Sequence, residues 1–147
     1  VEAAYLAKFA PFVAWPAAAF PTARSPLVLC VQGQDPFGAM LDRLTAGQAV
    51  RGHPVIVRKL ARLTADSGCH IAYVGGSSAQ PRAAALRAVD GRPVLTVTDA
   101  DDEGERAIVR LVRIDGRVRF MIDARKAGQS GLTISSKLLA LAAGVRR

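Results

Sequence analysis

Apolar positions recur along this chain with two periods, and the order in which those periods alternate predicts its elements. In residues 2 to 15, "EAAYLAKFAPFVAW", Tyr5 or Leu6, Phe9, and Phe12 or Val13 fall at helical spacing. Trp15-Pro16 ends that pattern, because a residue before proline avoids the α region. A first helix is expected there. After the Pro-rich "PAAAFPTARSP" comes "LVLCVQG", a short apolar run stopped by glycine, which reads as a buried strand. "DPFGAMLDRLTAG" follows, with Asp35 placed to cap a helix, Pro36 at its first position and Gly47 near its exit.

The strand-then-helix unit repeats. "HPVIVRKL" reads as a strand, a short helical connection leads to the strand "CHIAYVGG", and "AQPRAAALRAVDG" is a helix before the strand "PVLTVTD". Such alternation predicts an α/β domain with a mainly parallel sheet. Two later runs, "RAIVRLVRI" and "RVRFMIDA", are joined by Asp115-Gly116, a strong hairpin signal, so an antiparallel pair is expected to close the sheet. A terminal helix, "TISSKLLALAA", is apolar at Ile134, Leu138 and Leu141. With no repeat and no linker, residues 1–147 read as a single domain.

Composition narrows the classes. Half of the residues are apolar and 22% are charged, which suits a folded chain and not a disordered one. The longest apolar stretch, "AYLAKFAPFVAWPAAAF", is broken by Lys8, Pro11 and Pro16, so no membrane insertion is expected. The chain begins Val-Glu without an initiator Met, which reads as a processed or trimmed chain. Its net charge of +8 is spread over scattered positions such as Arg43, Arg58, Arg62, Arg82 and Arg87. Without a basic run interleaved with aromatics, nucleic acid is not the expected partner.

Ser135-Ser136-Lys137 lacks the Ser-x-x-Lys spacing, since Ile134 stands where the serine would be, and the serines read as helix-start caps. "YVGGSSAQ" lies where a strand runs into a helix and reads as a turn capped by Ser77 or Ser78, with Gly75, Gly76, Ser77 and Ser78 as a candidate small-ligand or anion site in the alternative. "DADDEGE" starts like a calcium loop at Asp99, Asp101, Glu103 and Gly104, yet position twelve is Arg110, so a solvated acidic loop and no metal is expected. His53 and His70 have no nucleophile elbow beside them, and Cys69-His70 would point to opposite faces of a strand. No catalytic residue and no cofactor is assigned. Cys30 and Cys69, without metal spacing, are compatible with one disulfide or with two buried thiols.

The motif series resembles the YfiR-like family of small bacterial periplasmic proteins. Carrying it are "YLAKFAPFVAWP", "LVLCVQGQDPFGAML", "GHPVIVRKL", "GCHIAYVG", "GRPVLTVTD", "GRVRFMID" and "GLTISSKLLALA", in that order. The resemblance implies a Rossmann-like three-layer domain, homodimerisation, and export to the periplasm with a signal peptide removed. It also implies a non-enzymatic regulator that binds the periplasmic sensor domain of an inner-membrane diguanylate cyclase and represses it, lowering cyclic di-GMP and biofilm formation. It further implies a Cys30–Cys69 disulfide; a second cysteine pair found in some members is missing here, and the acidic "TDADDEGERAIVRLV" departs from the glycine-rich approach common in relatives. Phe9, Phe12 and Trp15 are the partner-binding candidates, with core packing as the competing role. The alternative function is a periplasmic small-ligand sensor using the strand ends near Gly75 to Ser78.

Overall fold

The computed structural model describes residues 2–99 and 106–147. Helix α1 (Glu2–Phe9) passes into a 3-10 turn, Ala10–Phe12, and then into strand β1 (Val13–Ala14). The expected helix therefore stops early, because Pro11 brings no N–H and restrains the residue before it. Strand β2 (Leu27–Gly33) and helix α2 (Met40–Thr45) follow. The helix begins five residues after its expected cap. Asp35 instead closes a turn, its Oδ1 accepting from the amides of Phe37 (2.9 Å) and Gly38 (3.2 Å).

Strands β3 (Ala49–Val50), β4 (His53–Leu60) and β5 (Ile71–Gly76) come next, then α3 (Arg82–Ala88) and β6 (Leu95–Thr98). The helical connection expected between β4 and β5 is replaced by a hydroxyl-closed turn, in which Ser67 Oγ accepts from the Thr64 amide at 2.8 Å. Strands β7 (Val109–Ile114) and β8 (Arg117–Asp123) form the expected hairpin. Asp115 and Gly116 take φ values of 51° and 75°, the left-handed pair that a two-residue hairpin with native twist needs. Helix α4 (Ala124–Gln129), β9 (Thr133–Ile134), α5 (Ser136–Leu141) and β10 (Gly144–Arg146) complete the chain.

The main sheet runs β10-β8-β7-β6-β5-β2-β4-β3. Pairings from β4 through β2, β5 and β6 to β7 are parallel, β7–β8 and β3–β4 are antiparallel, and β10 lies parallel to β8. The hairpin does not close the sheet, because β10 adds outside it. The expected terminal helix is also shorter, since Thr133–Ile134 pairs with Val13 and Ala14 in a separate antiparallel ladder.

Alternation along β2 sorts the two faces. Leu27, Leu29 and Val31 point into a large core with Leu6, Phe9, Leu41, Ala127 and Leu138, whereas Val28 and Cys30 point into a smaller one with Ala85, Leu86 and Val89. A helix layer on each side of a sheet is the three-layer arrangement that buries parallel strands on both faces. Among the described residues no helix is long and apolar enough to cross a membrane.

Candidate functional site

Where the parallel strands begin, the segment after β1 is clasped to the sheet by a stack of rings. The Phe20 ring lies between two imidazoles, 3.9 Å from that of His53 and 4.3 Å from that of His70, at interplanar angles of 16° and 9°. Trp15 stands edge-on to both Phe20 and His70. The ring nitrogens of His70 are both engaged: Nδ1 accepts from the Val28 amide at 3.0 Å, and Nε2 bonds the Ala19 carbonyl at 2.7 Å. An acceptor at Nδ1 and a carbonyl at Nε2 together require the neutral Nε2–H tautomer. Burial, offset in part by the Ala19 carbonyl and reinforced by His53, holds the His70 pKa below the ordinary value.

One residue earlier, Cys69 turns to the opposite face and forms a disulfide with Cys30. Their Cα atoms are 5.9 Å apart, within the range that a disulfide spans. The bridge staples the start of β5 to the middle of β2 beneath α3. Cys69 and His70 thus serve two layers, as neighbours on an extended backbone do.

At the other end of these strands, the glycine-rich turn sits where the connections from β2 and β5 leave in opposite directions along the sheet. Parallel sheets place ligands at such points. Here the space is occupied by backbone: a Cβ on Gly75 would fall inside the main chain at Gln34, and one on Gly33 inside that of Gly76. The amide of Gly76 donates to Gln32 Oε1 at 3.0 Å and that of Ser77 to the Gln80 carbonyl at 2.9 Å. Ser77 Oγ accepts from the Gln80 amide, while Ser78 is exposed. Below the turn, buried Gln80 exchanges hydrogen bonds with Leu63 (Oε1 from N–H, 2.7 Å; Nε2 to the carbonyl, 2.8 Å) and takes one from Gln32 Nε2 at 3.0 Å.

Arg82 crosses Gly76 and reaches Asp99 at 3.7 Å. Burial first, then Asp99, pushes the Tyr73 phenol above its ordinary range, so it stays protonated at any physiological pH. Asp99 opens the acidic stretch read as an abortive calcium loop; Asp101, Glu103 and Gly104 lie outside the described residues. Among the described residues no group of three or more potential ligands is placed to hold a metal.

The three partner-binding candidates separate in space. Phe9 is 1% exposed and Trp15 9% exposed, both in the large core. Phe12 is half-buried and keeps accessible surface. Its carbonyl accepts from the Ser135 amide at 2.8 Å, which ties the opening segment to the start of α5. Ser135 Oγ in turn accepts from the Lys137 amide at 3.2 Å, the capping role expected of that serine. The ring clasp around Phe20 was not foreseen. Its members are scattered between Trp15 and His70, and no local spacing reports a stack formed between segments so far apart in the chain.

A family model described as YfiR/HmsC-like matches residues 1–143 of the chain. No curated protein matches it.

Proposed function

Because the chain belongs to the YfiR/HmsC-like family, we propose that it is a periplasmic regulatory protein that binds the periplasmic sensor domain of an inner-membrane diguanylate cyclase and represses it. The match over residues 1–143 carries this reading. It spans the whole motif series from "YLAKFAPFVAWP" to "GLTISSKLLALA". The Cys30–Cys69 disulfide supports an oxidising compartment, because such bridges persist in the periplasm and are rare in the cytosol.

In this reading the protein makes and breaks no bond. Its higher affinity for the inactive state of the cyclase shifts that enzyme's equilibrium, lowering cyclic di-GMP and biofilm formation. The opening segment contributes to the partner surface through Phe12, while Phe9 and Trp15 anchor the segment in the core. The protein acts as a homodimer.

The test is capture of the exported protein from detergent-solubilised inner membranes, with cyclic di-GMP compared in cells with and without it. A co-purifying cyclase together with raised cyclic di-GMP on deletion is the expected result. No cyclase in the eluate and unchanged cyclic di-GMP would sink the repressor reading.

A further inference from the structure

Beside α4, the ends of β8 and β10 open into a concavity of ≈ 590 Å³, a size typical of small-molecule sites. Arg106, Arg125, Lys126, Arg146 and Arg147 line it against one carboxylate, Asp123. That carboxylate is already used: its Oδ1 accepts from the Lys126 amide at 2.9 Å to cap α4. Lys126 Nζ turns to Asp90 at 3.5 Å. Among the described residues, none of the four guanidinium groups has an ion-pair partner.

The parallel pairing of β10 with β8 sets Arg146 opposite Asp123, so the fold itself brings residues from three separate segments to one hollow. Four guanidinium groups gathered around a single carboxylate repel one another, and a bound anion would relieve that repulsion. Guanidinium forks match phosphate oxygens two at a time. We propose that this concavity binds a small, soluble organic polyanion bearing two or more phosphate groups.

Shape and lining favour this occupant over other sources of phosphate. None of the exposed large apolar side chains, Met40, Leu44, Ile56, Ile114 and Leu141, lines the hollow, whereas a lipid-facing surface inserts such groups beside its cations. No aromatic ring lines it either, so what is recognised is the charged group and not a stacked base. The assignment stands on charge and geometry and does not rest on the cyclase reading.

Inorganic pyrophosphate is the probe, titrated calorimetrically into the full chain, with vesicles containing phosphatidylglycerol in a parallel sedimentation arm. The expected result is saturable 1:1 binding that weakens at least about tenfold in an Arg125→Gln/Arg146→Gln variant. Both residues are exposed, so that variant should melt like the unaltered protein in plain buffer. Arg43→Gln, on the remote α2, should bind as the unaltered protein does. The proposal is overturned by absent binding, by equal loss in Arg43→Gln, by undiminished binding in the double variant, or by capture of the vesicles without pyrophosphate binding.

Discussion

The indole N–H of Trp15 donates to the carbonyl oxygen of His70 at 3.0 Å, and the two rings meet edge to face with centroids 5.9 Å apart. His70 opens the approach to β5, and its own amide bonds the Val28 carbonyl at the start of β2. The opening segment is thereby fixed to the two central strands of the sheet. Phe12 lies three residues before Trp15 and keeps its surface; the position of any partner contact there depends on this anchor.

Trp15→Ala and Phe12→Ala should therefore behave differently. Loss of the buried indole should cost about 3–5 kcal/mol, a fall in melting temperature of about 10 °C or more for a chain of this size. Phe12→Ala should melt within a few degrees of the parent and bind the captured cyclase at least about tenfold more weakly, because half-exposed aromatic anchors contribute to binding more than to folding. Calorimetric melting beside the membrane capture assay distinguishes the two. Unchanged capture by Phe12→Ala would remove the opening segment from the partner surface.

Cys30 and Cys69 are separated by 39 residues. By the chain-entropy relation, closing a loop of that length stabilises by about 4 kcal/mol. Urea denaturation of the oxidised protein and of a Cys30→Ala/Cys69→Ala variant should show a gap of that order. A gap near zero would mean that the smaller core, with Ala85, Leu86 and Val89 packed over the bridge, holds the sheet without it.

Much of the sheet was legible because its information is local. "LVLCVQG", "HPVIVRKL" and "RVRFMIDA" are bounded apolar or alternating runs; the first two are strands of the expected extent and the third ends one residue early, at Asp123. Asp115-Gly116 specifies its turn by backbone preference alone. What was missed is held by distant partners. "GVR" has no strand signature and becomes β10 because β8 offers an unpaired edge at Met121 to Asp123. "TI" is drawn from the expected helix into β9 by Val13 and Ala14. The stretch "YVGGSS" reads as a capped turn or as an anion cradle; the contact of Gly75 with the Gln34 main chain is visible only in three dimensions. Arg106, Arg125 and Arg146 look scattered in sequence for the same reason.

Gln80 provides a further test of the turn at the strand ends. Gln80→Ala would leave the N–H and carbonyl of Leu63 without their buried partners, while the Gln32 amide keeps the main-chain carbonyls of Gln80 and Ala61. Unsatisfied buried groups cost about 1–3 kcal/mol each, so a loss of about 2 kcal/mol or more is expected in urea unfolding. Amide hydrogen exchange should quicken at Leu63 and across the turn that Thr64 and Ser67 close. Exchange that quickens uniformly over the whole chain would point to global destabilisation in place of a local latch.

Stability should also fall on mild acidification, through His70. Its folded pKa lies below the ordinary value, chiefly because of burial, and its Nδ1 must stay unprotonated to accept from Val28. Above about pH 6.5, the ordinary value for histidine, folded and unfolded chains both carry a neutral ring and this group adds no pH dependence. As the pH drops below that, the unfolded chain takes up the proton first, so stability declines until the folded pKa is reached and levels off beneath it. His70→Asn supplies a carbonyl oxygen near the position of Nδ1 and has no proton to gain. It should be less stable than the parent at neutral pH, having lost the stack on Phe20, yet its melting temperature should decline less steeply from pH 6.5 downward. Parallel curves for the two would place the acid sensitivity elsewhere in the fold.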